Sequence, residues 1–404
     1  MTVDDGVVIV SALRTPFGKF GGALRDCSTR DLSAFVFQHV VERIALPASE
    51  VDDIYWGLAT VGESAMENGI IARQALLKAG FPPETRSMTI DRACCSSLAA
   101  VDLGRRAIRL GEARAVIVGG ADNMGRQPFY IPAAVRWGWR RGPLAAQDNL
   151  HELGYPGFSP VARDTGAVAV EFHVSRDEQD AWAARSHRRY AEAAAAGKFK
   201  DEIVPFPVAA KRNAVAVVEV DELPKPDTTP EALATLPTIY GSATVTAGNA
   251  PGMDTGAAAL LLMSRQRAAD ASVAPLAEVI ATASVATAPD RLPVGPAMAI
   301  ERALERAGLR LEDISLFEVN EAFAAVPLVA ARMLAGTDTR RRDWILDRLN
   351  VNGGAVAIGH PVGASGARIL MTLVYELRRR NAAYGVAAIC GGLAQAEAVI
   401  VRAL

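Results

Sequence analysis

Asp91-Arg92-Ala93-Cys94-Cys95-Ser96-Ser97-Leu98-Ala99-Ala100 is the stretch around which the chain is organised. Small polar residues after Cys94 suit a helix start, and Ala100, Leu103, Ala107 and Leu110 continue as an apolar helical face. The helix is followed by the buried-strand pattern Ala115-Val116-Ile117-Val118-Gly119-Gly120. Cys94 is therefore expected at or near the first turn of a buried helix, where unpaired N–H groups and the helix dipole favour an anion. A thiol there should ionise more readily than a free cysteine and serve as a nucleophile. Most free cysteines are simply small buried residues, and on this stretch alone that reading stands ahead.

Outward from this stretch, the pattern is α/β. Val7–Ala12, Val51–Gly57 and Arg86–Ile90 read as strands, with helices over Thr29–Arg43 and Asn68–Ala79 between them, which predicts a mainly parallel, helix-covered sheet. Residues 124–245 lose that alternation and read as an insertion covering a site. It contains Arg136-Trp137-Gly138-Trp139-Arg140-Arg141, suited either to gripping an anionic, partly apolar ligand or to forming a small core of its own, and a long helix over Ser175–Ala196. Gly256–Leu262 reads as a buried helix or strand. A second strand–helix series then opens at Pro275.

The segment 366–392 repeats the order of 94–120: small-residue helix start, apolar helix, turn, buried strand, Gly-Gly. An internal duplication follows, with two related sheets meeting through their helices and reactive groups of both halves converging between them. The domains expected are a first half of 1–123 plus 246–270, the insertion 124–245, and a second half of 271–404.

Composition narrows the function classes. The 404 residues suggest two domains or two halves, and half the residues are hydrophobic while only 6% are aromatic. A net charge of −2 gives no basic field for nucleic acid. Cysteines at 27, 94, 95 and 390 show no zinc spacing and fit a reducing cytosol. The N-terminus Met1–Gly6 is acidic where a targeting peptide would be basic, and no apolar stretch is long enough to span a bilayer. A cytoplasmic location is expected. His39, His151, His173 and His187 read as surface or packing residues, with no metal site.

With these residues in hand, the chain resembles the thiolase family nearly end to end. The Cys94 segment resembles the family's nucleophile segment, Asn320-Glu321-Ala322-Phe323 its Asn-Glu-Ala-Phe motif, Gly359-His360-Pro361 its Gly-His-Pro motif and Cys390-Gly391-Gly392 its Cys-x-Gly motif. Each is weak alone; four in order are specific. The resemblance implies an α-β-α-β-α layered fold with a loop-domain insertion, a homodimer or homotetramer, and reversible condensation or thiolytic cleavage of a 3-oxoacyl-CoA with acetyl-CoA. No tightly bound cofactor is implied, and coenzyme A is the co-substrate.

It also implies roles. Cys94 carries the acyl group, His360 takes its proton, Cys390 is the second acid/base, and Asn320 fixes a water facing the enolate oxygen. The N–H groups of Cys94 and Gly392 form the other oxyanion site. Lys225, Ala247, Pro251 and Phe323 are the residues placed along coenzyme A.

Several positions depart from the family pattern: Asp91, Cys95, Ser97, Val161-Ala162, Lys225 and Pro251. Larger residues at 95 and 97 would narrow the acyl pocket. Two other readings stand beside the main one: a ketosynthase-like condensing enzyme, and a non-catalytic subunit that binds acyl thioesters.

Overall fold

The computed structural model describes residues 6–131, 133–148, 150–151, 154–209 and 214–404. Residues 1–5, most of the acidic N-terminal stretch, lie outside them, as do 132, 149, 152–153 and 210–213 of the insertion.

The first half runs β1 (Val7–Arg14), α1 (Thr29–Glu42), β2 (Asp53–Gly57), α2 (Val61–Met66), α3 (Ile71–Lys78), β3 (Arg86–Ile90), α4 (Ser96–Arg109) and β4 (Ala115–Asn123). The helix expected over Asn68–Ala79 is α3, and it starts three residues later, at Ile71. Asn68, Gly69 and Ile70 take left-handed φ values of 62°, 72° and 45°, which no α-helix can accommodate. The insertion carries α5 (Val161–Glu171), α6 (Arg176–Ala195), a hairpin of β5 (Phe206–Ala209) with β6 (Val215–Val218), and α7 (Pro230–Ala234). Ser175 and Glu178 close a capping box at the start of α6.

Gly256–Leu262 lies in a strand, β7 (Thr255–Ser264), followed by α8 (Arg265–Asp270). The second half is β8 (Ala277–Ala286), α9 (Gly295–Ala307), β9 (Leu316–Val319), α10 (Ala325–Ala335), α11 (Thr339–Arg348), α12 (Ala355–Ile358), α13 (Ser365–Arg379), β10 (Tyr384–Gly391) and β11 (Gln395–Ala403).

The sheet order is β3-β2-β4-β7-β1-β8-β11-β10-β9. The expected parallel sheet is in fact mixed: β2 runs parallel to β3 and β4, and β9 to β10, but β7 returns antiparallel to β4 after the insertion. Likewise β11 folds straight back on β10. The turn between them puts Leu393 and Ala394 at φ 55° and 59°.

The duplication is visible in this order. Strands β1, β2, β4 and β7 occupy the places in the first half that β8, β9, β10 and β11 occupy in the second, and α4 precedes β4 as α13 precedes β10. The counterpart of β3 is reduced to one parallel bridge between Phe317 and Leu349. Among the described residues the half-sheets join edge to edge where Val8 pairs Glu278 and Ile9 pairs Ala277, with the Leu276 N–H donating to the Ile9 carbonyl at 2.8 Å.

Five layers result. Leu98 and Val101 of α4 and Ile369 and Leu370 of α13 fill the centre, between Val116, Val118 and Leu260 of one half-sheet and Ala387, Ile389 and Val399 of the other. Val36, Phe37 and Val40 of α1 cover the outer face of the first half-sheet. Ile300 and Ala303 of α9 and Val329 of α10 cover that of the second. Strand alternation explains the split: Val116 and Val118 face the centre, whereas Ala115 and Ile117 face out.

A fully buried ion network ties the insertion down. Arg14 at the end of β1 is bidentate to Asp221 at 2.6 and 2.9 Å, and its Nε meets Glu202 at 3.1 Å. The Tyr190 hydroxyl donates to Asp221 at 3.1 Å.

Candidate active site

A backbone shelf places Cys94. A Cβ built on Gly391 would lie 2.7 Å from the Cys95 Sγ and 2.9 Å from the Arg92 carbonyl. A Cβ on Gly392 would lie 3.0 Å from that of Ala93. Residues 92–95 thus rest directly on the end of β10, and the two glycines permit the approach. The Arg92 guanidinium fixes the shelf from beyond by pairing with the buried Glu397.

His360 arrives from the second half. Its backbone N–H donates to Asp254 at 2.7 Å, and Gly359 before it takes φ 111° against Asp254 and Leu223. The ring Nε2 stands 3.3 Å from Cys94 Sγ, and Nδ1 stands 2.6 Å from the Ser365 hydroxyl. That hydroxyl spends its one proton on the Pro361 carbonyl, 2.8 Å away. It must therefore accept from Nδ1–H, which leaves Nε2 as the lone-pair nitrogen facing the thiol.

Burial, and after it Arg368, pushes the His360 imidazole down to about 3. The same enclosure pushes the Cys94 thiol up to about 12, against the lowering effect of its own backbone N–H. The helix-start expectation of a depressed thiol is thus overturned, because desolvation outweighs the backbone dipoles. At neutral pH the resting pair is a thiol hydrogen-bonded to a neutral imidazole. The proton moves only when charge develops.

Cys390, at the end of β10, is fully buried. Burial, and next the charge of Cys94, holds its thiol well above the ordinary value. Asn320 follows β9, and its backbone N–H donates to Ala388 at 2.9 Å. Its Oδ1 and Nδ2 are both buried without a protein partner. Such a group needs a water or ligand. Glu321 beside it is fully engaged: it accepts from Trp182 Nε1 at 2.8 Å, Ser186 at 2.9 Å, Asn350 at 3.0 Å and the Val356 N–H at 3.1 Å. The motif thus divides into a free amide and an anchored carboxylate.

The altered positions beside Cys94 do not line the acyl pocket. Cys95 is buried, and its thiol donates to the Ile389 carbonyl at 3.4 Å. The Ser97 hydroxyl accepts the Ala367 N–H at 3.0 Å, stitching the starts of α4 and α13 together. Both serve the packing of the two halves. Of the residues expected along coenzyme A, Lys225 and Ala247 are exposed and Pro251 is partly exposed, whereas Phe323 is buried in the outer core. The Lys225 N–H donates to His187 Nδ1 at 3.1 Å. The Arg-Trp run forms no small core, since Trp137 is 80% exposed.

Three contributors were absent from the sequence reading. Ser365 fixes the His360 tautomer. Asp122 accepts from the Thr60 N–H and hydroxyl and from the Gly363 N–H, clamping the two halves behind the site. Tyr155, from the insertion, reaches Gly392. Only Ser365 had a signal available, five residues after His360 within one Gly-rich segment.

Residues 7–266 match the family described as Thiolase, N-terminal domain, and 273–403 that described as Thiolase, C-terminal domain. An acetyl-CoA acetyltransferase of Syntrophomonas wolfei is 40% identical over 98% of this chain and 99% of its own length. Among solved structures, the Bacillus anthracis acetyl-CoA acetyltransferase superposes with a TM-score of 0.93 at 34% identity, covering 99% of each chain. Human mitochondrial 3-ketoacyl-CoA thiolase in complex with CoA superposes at 0.89 with 36% identity, covering 99% of this chain and 98% of that one. Sequence, fold and the meeting of Cys94 with His360 agree: this chain belongs to the thiolase family.

Proposed function

We propose that this acyltransferase cleaves and forms 3-oxoacyl-CoA through an acyl group carried on Cys94. The observation that carries the reading is the His360 Nε2 lone pair 3.3 Å from the Cys94 thiol. In the cleavage direction His360 accepts the thiol proton as the Cys94 sulfur attacks the 3-oxo carbon. The bond between C2 and C3 breaks, the electron pair passes to the departing acetyl-CoA enolate, and Cys390 protonates its C2. Coenzyme A then gives its thiol proton to the site and takes the acyl group from Cys94. Condensation is the reverse.

An enolate next to a thioester is costly, so stabilisation of its oxygen is the main demand. The unpartnered Asn320 amide, through a water it holds, and His360 are suited to that oxygen. The N–H groups of Cys94 and Gly392 face the other. Coenzyme A would lie across the insertion, with Lys225, Ala247 and Pro251 along it and Phe323 beneath. Neither the ketosynthase-like nor the non-catalytic reading is favoured by the relatives.

A homodimer is part of this proposal. Among the described residues strand β3 ends the sheet with one edge unpaired, and Met88 on it is 52% exposed. An open strand edge is a template for pairing with a second copy. Among the described residues no helix is long and apolar enough to cross a membrane, and we place the enzyme in the cytoplasm. The direct test is thiolysis of acetoacetyl-CoA by the purified chain with coenzyme A. Binding of coenzyme A without turnover would support the non-catalytic reading instead.

A further inference from the structure

The insertion sends one aromatic side chain into the catalytic shelf. Tyr155-Pro156-Gly157-Phe158 is a tight turn, closed by the Phe158 N–H donating to the Tyr155 carbonyl at 2.9 Å, with Gly157 at φ 84°. Proline then glycine in the two central places is the pattern that holds such a turn in one shape. The turn therefore presents Tyr155 rigidly.

A Cβ built on Gly392 would lie 2.0 Å from the Tyr155 hydroxyl oxygen, 2.8 Å from its Cζ and 3.0 Å from the Ala93 Cβ. The phenol tip thus fills the space over Gly392 and beside Ala93, the residue immediately before Cys94. Any acyl chain leaving Cys94 on this side meets the ring. Partial burial, followed by Cys94 and Asp91, pushes the phenol up to about 12, so it stays neutral, while the residue as a whole keeps 37% of its surface exposed. Cys95 and Ser97 are engaged elsewhere, so neither sets this boundary.

We infer that Tyr155 is a specificity-determining residue that closes the acyl pocket and restricts the enzyme to short 3-oxoacyl thioesters. The inference rests on the thiolase reading above and adds the substrate class to it. A rigid aromatic wall discriminates by exclusion, and one or two methylenes without room change kcat/KM by about 10–200-fold.

The test compares thiolysis of acetoacetyl-, 3-oxohexanoyl- and 3-oxooctanoyl-CoA by the wild-type chain, Tyr155→Ala and Tyr155→Phe. For the wild type, kcat/KM should fall at least about tenfold between the first and the last substrate. Tyr155→Ala should recover most of that ratio. Tyr155→Phe, which keeps the ring, should preserve the wild-type ratio. Should Tyr155→Ala fail to fold, Tyr155→Val replaces it with the same expectation.

A wild-type enzyme indifferent to chain length, or an unchanged ratio in the small-residue variants, overturns the inference while leaving the thiolase reading intact. A ratio lost in Tyr155→Phe also overturns it, since the hydroxyl and not the ring would then discriminate. No thiolysis of any of the three by the wild type would overturn the functional reading itself, and this inference with it.

Discussion

His360 Nε2 stands 3.3 Å from Cys94 Sγ across a sequence separation of 266 residues. The contact exists because each half of the duplication sends a helix into the central layer. Cys94 leads into one of these helices and His360 lies just before the other. Ser97 and Ala367 bind the two helix starts to each other, so the geometry of the pair is set by the interface between halves.

The resting protonation state gives a pH prediction. With burial raising the Cys94 thiol to about 12, thiolate is scarce throughout the neutral range. Alkylation by iodoacetamide, which requires thiolate, should rise about tenfold per pH unit from 6 to 9 with no plateau. A preformed thiolate–imidazolium pair would instead give a plateau reached by neutral pH, which rate measurements against pH would reveal.

Ser365 acts through His360 as a positioning residue. Ser365→Ala frees the ring to rotate or change tautomer and should lower kcat by up to about 10²-fold. Ser365→Thr keeps an acceptor and should recover much of the loss. Equal loss in both variants would point to packing at the start of α13 as the cause.

Asn320→Ala removes an amide whose two polar atoms meet no protein group. A merely structural asparagine would have partners, so stability should change little while kcat falls by about 10²-fold or more, the cost typical of losing one oxyanion donor. Thermal unfolding and turnover measured on the same sample separate the two outcomes.

Arg14→Ala should be severe for a different reason. It strands Asp221 and Glu202, both buried, and removal of one member of such a network costs about 3–5 kcal/mol. Urea unfolding checks this. A loss below about 1 kcal/mol would show that water reaches the carboxylates, as it does for exposed pairs.

Acid should act partly through His187. Burial, and then Lys225, lowers its imidazole from 6.5 to about 4. Below 6.5 the unfolded chain takes up a proton that the folded chain refuses, so this residue's contribution is intact above 6.5 and drains away as pH falls toward 4. His187→Gln should therefore narrow the difference in unfolding midpoint between pH 7 and pH 4.5. An unchanged difference would assign the acid sensitivity to other groups.

Much of this was legible from residue order. Strand β3 and the strand parts of β1 and β4 follow from short β-branched runs, and the duplication follows from two Gly-Gly strand ends, each preceded by a small-residue helix start. The mixed sheet was not legible, because strand direction depends on where β7 re-enters after the insertion. The pKa of Cys94 was misjudged since a helix start is local while desolvation comes from every layer around it. Cys95 and Ser97 looked like pocket residues in sequence, but only the packing of α4 against α13 and β10 reveals what their side chains meet. Tyr155 carried no motif at all, and its position depends on how the insertion folds over the shelf.

The central claim is a covalent acyl group on one sulfur. Wild-type enzyme mixed with acetoacetyl-CoA in the absence of free coenzyme A, quenched in acid, digested and mapped by mass spectrometry should show an acetyl group on the peptide containing Cys94, localised to that residue. The adduct should vanish on adding coenzyme A. An unmodified Cys94 under turnover conditions, or full thiolysis by Cys94→Ser, would contradict the account.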